Sequence, residues 1–193
     1  TGELNQFIKG LEMKLFIILL SILCSSTAYG DQKEYGAAAT DIEELSQFEY
    51  MRGDWVVHMQ ASDERGNFKE LENVAYVTAY YHSDGRSFQS EFTMDNGFFS
   101  TDIRSYNVAE NKWQIMFLNS KAQRWHKFDA YRLDGEMTTI VPGGYSGEEE
   151  FDIKAVDRDV TKDGFRKHVY HSYDGGLSWV KKYIMTSSRR NSE

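Results

Sequence analysis

The chain has 193 residues, with 30 acidic side chains against 22 basic ones and a formal net charge of −8. Such an acidic surface repels phosphate backbones, and the largest basic cluster is "SSRR" near the C-terminus, so nucleic acid is not an expected partner. The single cysteine, Cys24, lies in an apolar N-terminal segment, which leaves the rest of the chain without a disulfide or a thiol nucleophile.

Residues 1–12, "TGELNQFIKGLE", precede Met13 and read as upstream or added sequence. The stretch 13–30, "MKLFIILLSILCSSTAYG", has one lysine, an apolar run over 15–23, a polar patch and small residues at Ala28 and Gly30. This is the layout of a signal peptide cleaved near Gly30. The apolar run is shorter than the roughly 20 residues a spanning helix needs, so secretion to a bacterial periplasm is expected, without stable membrane insertion. Leu23 is the wrong neighbour for a lipidated Cys24. Residues 31–39, "DQKEYGAAA", read as a flexible leader, and a single folded domain is expected over 40–190.

One helix is predicted at the start of that domain. In "TDIEELSQFEYM" Thr40 and Glu43 can form a capping box, and Ile42, Leu45, Phe48 and Met51 recur every third residue. From Asp54 onward, extended segments rich in β-branched and aromatic residues alternate with turns: "ERGN" 64–67, "SDGR" 83–86, "DNGF" 95–98, "LDGE" 133–136, "KDGF" 162–165 and "YDGG" 173–176. Asp-Gly and Asn-Gly supply the positive φ of tight antiparallel hairpins. The single proline, Pro142 in "VPGGYSG", reads as a loop between strands. The expected fold class is all-β: an antiparallel up-and-down barrel of about nine or ten strands, because closure removes exposed sheet edges, with the short helix as lid or plug.

"HSYDGGLSW" at 171–179 has the Ser-x-Asp-x-Gly-x-x-Trp spacing of sialidase-like propellers. A propeller repeats that turn in several blades, and this chain holds one copy, so the stretch reads as a hairpin joining the last two strands. Asp174 then accepts backbone N–H bonds, Gly175 and Gly176 permit the turn, and Trp179 packs on the strand that follows.

Gly53, Asp54 and Trp55 form the Gly-x-Trp that opens the first strand of lipocalin-like proteins, where the tryptophan is often covered by a late cation; Arg189 or Arg190 fits that part. With Tyr106, Asn107, Lys112, Trp113 and then Asp174, Gly175, Gly176, Trp179, the order of pieces resembles the secreted bacterial family called domain of unknown function 1579. Ser105 and Asn107 depart from that family's Gly and Asp. The resemblance implies a calycin-type barrel over about 40–190 and no particular reaction.

Polar side chains that share strand parity with large apolar ones are candidates for lining the interior. Glu91 and Arg104 can face each other across two strands, as can Asp102. On "RWHKFDAYR" one face carries Arg124, His126, Phe128, Ala130 and Arg132, and the other Trp125, Lys127, Asp129 and Tyr131. Ligand contacts are therefore expected from Arg104, Trp125, His126, Tyr131, Glu91 and Trp113. Tyr80, Tyr81, Phe92, Phe99, Phe117 and Phe128 are further aromatics able to wall a cavity, or to fill it. His58, His82, His126, His168 and His171 form no metal-binding spacing, and "GEEEFD" at 147–152 reads as a solvated strand start, so neither metal nor cofactor is expected.

The leading expectation is a secreted barrel that binds a small, largely apolar or aromatic molecule. A second is a cofactor-independent isomerase, cyclase or lyase in which His126 or His168 moves a proton while Arg104 or Tyr106 steadies an oxyanion. A third is an interaction module with a packed core. Oligomeric state is not legible.

Overall fold

A computed structural model describes residues 35–146 and 149–190; the expected signal peptide and upstream sequence lie outside the described residues. A 3-10 helix, Glu43–Met51, is followed by β1 (Gly53–Ser62), β2 (Phe68–Glu70), β3 (Ala75–Tyr81), β4 (Ser87–Met94), β5 (Phe99–Asn107) and β6 (Lys112–Asn119). Then come β7 (Arg124–Leu133), β8 (Glu136–Ser146), β9 (Glu149–Arg158), β10 (Gly164–Ser172) and β11 (Val180–Arg189). Neighbouring strands pair antiparallel in chain order, and β11 pairs with β1, which closes the barrel; β2 is a short appendage on β1. The all-β barrel and single short helix agree with the expected class. "ELENVAYVTAYY" divides between β2 and β3 rather than forming one strand.

The expected short helix is of the 3-10 kind. Its apolar residues are spaced by three, and three residues make one turn of a 3-10 helix, so Leu45, Phe48 and Met51 align in a single buried column. Ile42 holds the N-cap position and no side chain caps the helix, so the Thr40–Glu43 box does not form. A 3-10 run of this length needs outside support, and the barrel supplies it. The Tyr81 hydroxyl donates to the Leu45 carbonyl at 2.5 Å, and Trp55 Nε1 donates to the Met51 carbonyl at 2.6 Å. Phe48 stacks on Phe88 and meets Trp113 edge-on, with ring centroids 5.5 and 4.9 Å apart. Each such fully buried side chain contributes about 1.5–3 kcal/mol by leaving water.

This helix end is the barrel floor. Trp55 is fully buried, and the Arg189 guanidinium lies 3.9 Å from its ring centre. Arg189 also donates to the carbonyls of Arg52 and Lys162, so the cation ties the last strand to the first. Residues 35–39, expected as the end of a flexible leader, lie against the same end. Tyr81 N donates to the Tyr35 carbonyl, Ala39 N to the Gly85 carbonyl, and the Tyr35 hydroxyl to Asp54.

Gly66, Gly85, Gly97, Gly135 and Gly175 have positive φ, as the turn motifs require. The motif "KDGF" behaves otherwise: the left-handed residue is Asp159, and Gly164 starts β10. A side chain at Gly164 would place a Cβ 2.8 Å from the Ser187 carbonyl oxygen, so that glycine serves close strand approach. Pro142 also departs from expectation. It lies within β8, where the pairing with β9 slips between Val141 and Gly144, because a bulge tolerates a residue with no N–H to give.

The 173–179 turn is a local hydrogen-bond unit. Asp174 accepts from Ser178 N at 2.9 Å, from the Ser178 hydroxyl at 2.6 Å and from the Ser172 hydroxyl at 2.7 Å, and Ser172 Oγ accepts from Gly176 N. The Ser178 hydroxyl first, then the Ser178 amide and Ser172, hold the Asp174 carboxyl at about 2, below its ordinary value of 3.8. A depressed folded-state value stabilises the turn above the unfolded carboxylate range, and that stability is lost as pH falls through about 4 towards 2. A carboxyl NMR titration is expected to place the Asp174 midpoint near 2, and Ser178→Ala should move it upward.

Candidate functional site

Strand parity decides what reaches the interior. Trp55 and Val57 on β1, Ser90 and Phe92 on β4, Asp102 and Arg104 on β5, and Ile115 and Phe117 on β6 share the inner face with Asp157 on β9 and Lys167 on β10. Above the floor this inner face borders a cavity of about 150 Å³. Its wall is apolar at Met51, Val57, Val77, Phe92, Phe117, Phe165 and Met185, and polar at Ser90, Ser100, Thr101, Asp102, Arg104, Lys167 and Ser187.

Two ion pairs form the polar side. Arg104 Nε and Nη2 donate to the two oxygens of Asp102, both at 2.8 Å, and Nη2 also donates to Ser90 Oγ at 3.2 Å. The Arg104 guanidinium lies 4.4 Å from the Phe48 ring centre, so its face is covered by an aromatic. Burial opposes the Arg104 charge most, but the Asp102 charge and hydrogen bonds outweigh it and raise the guanidinium above its ordinary value. In the second pair Lys167 Nζ lies 2.5 Å from Asp157 Oδ1, and the Tyr50 hydroxyl donates to Asp157 Oδ2 at 2.5 Å. Asp157 is 3% exposed, and Tyr50 is pushed well above its ordinary value by burial and then by the Asp157 charge.

Nearer the open end lies a second pocket of about 240 Å³. It is lined by Phe117, Asn119, Ala122, Arg124, His126, Gly144, Phe151 and Ile153, so Phe117 borders both spaces. Arg124 contacts His126 Nε2 and also donates to the Gly143 carbonyl at 3.0 Å. Burial and then the Arg124 charge lower His126. His171 stacks on Phe151 with ring centres 4.0 Å apart, on the same rim.

The expected site residues divide as follows. Arg104 and His126 both turn inward, but they line different compartments on either side of Phe117. Arg104 pairs with Asp102, two residues along its own strand, and not with Glu91, which alternates with the inward Ser90 and Phe92 and so falls on the outer face of β4. Trp125 is 60% exposed and Tyr131 shares its outer face on β7, because the inner parity belongs to His126, Phe128 and Ala130. Trp113 is fully buried and donates from Nε1 to Gln47 at 3.0 Å, which makes it a floor residue. His168 faces outward on β10 between Val156 and Ile184; burial first, then Lys181, Arg158 and Arg166, lower it. Among the other aromatics, Phe92, Phe117 and Phe128 face inward and Tyr81 is buried beside the floor, whereas Tyr80 and Phe99 face outward.

Asp157, Lys167 and Tyr50 were not expected. The signal for two of them was present in the alternation: Asp157 shares parity with Phe151, Ile153 and Ala155, and Lys167 with Phe165 and Val169. Among the described residues no group of His, Cys, Asp and Glu is arranged to hold a metal, and no helix is long and apolar enough to cross a membrane.

The fold is a closed ten-stranded antiparallel barrel of the lipocalin-like kind, with an internal cavity above a tryptophan floor. No family model and no curated protein matches the chain. Among solved structures, an S-type phycobiliprotein lyase from Guillardia theta is similar, with a TM-score of 0.52 and 10% identity over 79% of this chain and 96% of that one. A protein of unknown function from the DUF3598 family of Nostoc punctiforme PCC 73102 is also found, at a TM-score of 0.25 and 8% identity over 77% of this chain and 100% of that one.

Proposed function

We propose that this protein is a secreted barrel that holds a small, largely apolar molecule in the cavity above its floor. The observation that carries the reading is the composition of that cavity: apolar side chains interleaved with a few buried polar ones, which together fix a ligand's orientation as well as bind it. The likeness of the barrel to that of a phycobiliprotein lyase supports an interior put to use. Secretion rests on the layout of residues 13–30, and kinship with the domain of unknown function 1579 family on the Gly53-Asp54-Trp55 opening and the Asp174-to-Trp179 turn.

Native mass spectrometry of protein recovered from periplasm is expected to show a retained small molecule. Val77→Phe, which fills the apolar wall, should abolish retention while changing stability by no more than about 1–3 kcal/mol. Retention unaffected by that substitution would place the ligand elsewhere. N-terminal sequencing of the same material is expected to begin at Asp31.

A further inference from the structure

We propose that the deep cavity selects neutral molecules, a single ring or a body of that size bearing a carbonyl or hydroxyl group, and rejects the corresponding carboxylic acids. This rests on the cavity being the ligand site, and it follows from how the four charges at the cavity are already spent.

Arg104 has no fork left to offer. Nε and Nη2 are engaged by Asp102 and Ser90, Nη1 points at Met51 Sδ at 3.5 Å, and the face is covered by Phe48. A carboxylate ligand that sought a bidentate pair with it would have to displace Asp102, itself nearly buried and without another cation in contact. Lys167 is different. Its ammonium carries three donors and holds Asp157 as an ion pair, so it can still donate to a carbonyl or hydroxyl oxygen without giving up that pair. Asp157 in turn is held by Tyr50 on its other oxygen.

The charges at the cavity therefore balance: Arg104 and Lys167 on its lining against Asp102, also on the lining, and Asp157, which is paired to Lys167. A neutral ligand preserves that balance. An anionic one adds a third negative charge in a space where removing an ion from water costs several kcal/mol and no uncommitted cation compensates. The nearly buried hydroxyls of Ser100 and Ser187, which also line the cavity, add neutral hydrogen-bonding capacity. The volume, about 150 Å³, matches a cavity able to take one six-membered ring.

The test uses the folded protein at pH 7 with acetophenone, benzyl alcohol and benzoate as probes, their binding measured by calorimetry and by chemical-shift changes at Phe92 and Phe117. Acetophenone or benzyl alcohol is expected to bind at least about tenfold more tightly than benzoate. Asp157→Asn, with its fold verified by circular dichroism, removes one negative charge and should shift the ratio towards benzoate by about tenfold or more. Benzoate binding as tightly as the neutral probes overturns this inference and leaves the cavity as the ligand site. An unchanged ratio in a folded Asp157→Asn protein also overturns it. Failure of all three probes to bind the wild-type protein removes both this inference and the reading of the cavity on which it rests. The wild-type comparison needs no variant to fold.

Discussion

Replacing Arg104 with methionine is expected to destabilise the barrel by about 3–5 kcal/mol, the cost of stranding a buried carboxylate. Asp102 would keep only the Ser90 hydroxyl, which donates to it at 2.9 Å, and would face the aromatic floor without its cation. The measurement is urea denaturation with the midpoint and slope fitted together, so that a change in the compactness of either state is not mistaken for lost stability. The paired substitution Arg104→Met with Asp102→Leu should recover most of the loss. An apolar pair of similar volume avoids both desolvation penalties and is often neutral or better. Recovery would mean that the pair stands in the barrel for what it recognises or orders, since it would then contribute little net stability. If the double variant is as unstable as the single one, the ion pair holds the floor together and the cavity's polarity is a by-product of folding.

Trp55→Ala carries the other large effect, about 3–5 kcal/mol from lost burial and the space left behind. The same change removes the surface on which Arg189 rests and the donor to the Met51 carbonyl, so the 3-10 helix and the last strand lose an anchor together. Arg189→Met should cost much less, on the order of 1–2 kcal/mol for a partly desolvated cation over an indole. A double-mutant cycle with Trp55→Phe reports their coupling, because the two side chains are in contact and their effects are not additive. Coupling near zero would show that Arg189 acts through its backbone partners alone.

How much of this could be read beforehand depends on the range of the interaction concerned. Turn chemistry is local, so Gly66, Gly85, Gly97, Gly135 and Gly175 announce their hairpins from two or three residues. The contact of Arg189 with Trp55 spans nearly the whole domain, but the Gly-x-Trp resemblance supplied it as one of two candidates, Arg189 or Arg190. The period of three in Ile42, Leu45, Phe48 and Met51 marks the helix from the sequence, and a strict spacing of three is the 3-10 repeat itself. Facing direction was the least legible property. A one-residue slip in a strand exchanges its inner and outer sets, and the sequence does not mark such slips as the one between Val141 and Gly144 or between Val169 and Tyr170. For that reason Trp125 and Tyr131 were expected beside His126, when alternation on one strand allows only one of the two groups inside. The Asp102–Arg104 pair was open to discovery, since residues two apart on a strand share a face.

Closure of β11 onto β1 also governs how the chain reaches this state. The register joins Trp55 to Arg189 and Ala61 to Tyr183, so that the first full strand must wait for the last before its second edge is satisfied. All other neighbouring strands of the barrel come from hairpins or short connections that can zip sequentially. The long loop-closure entropy thus falls on a single event, and folding should be slow for a domain of this size, in the millisecond-to-second range typical of non-local β topologies. Until that event β1 and β11 each present an open edge to neighbouring molecules. A chain truncated before β11 would leave β1 and β10 open permanently, which makes this ten-residue strand the protein's safeguard against aggregation as well as the wall that completes its cavity.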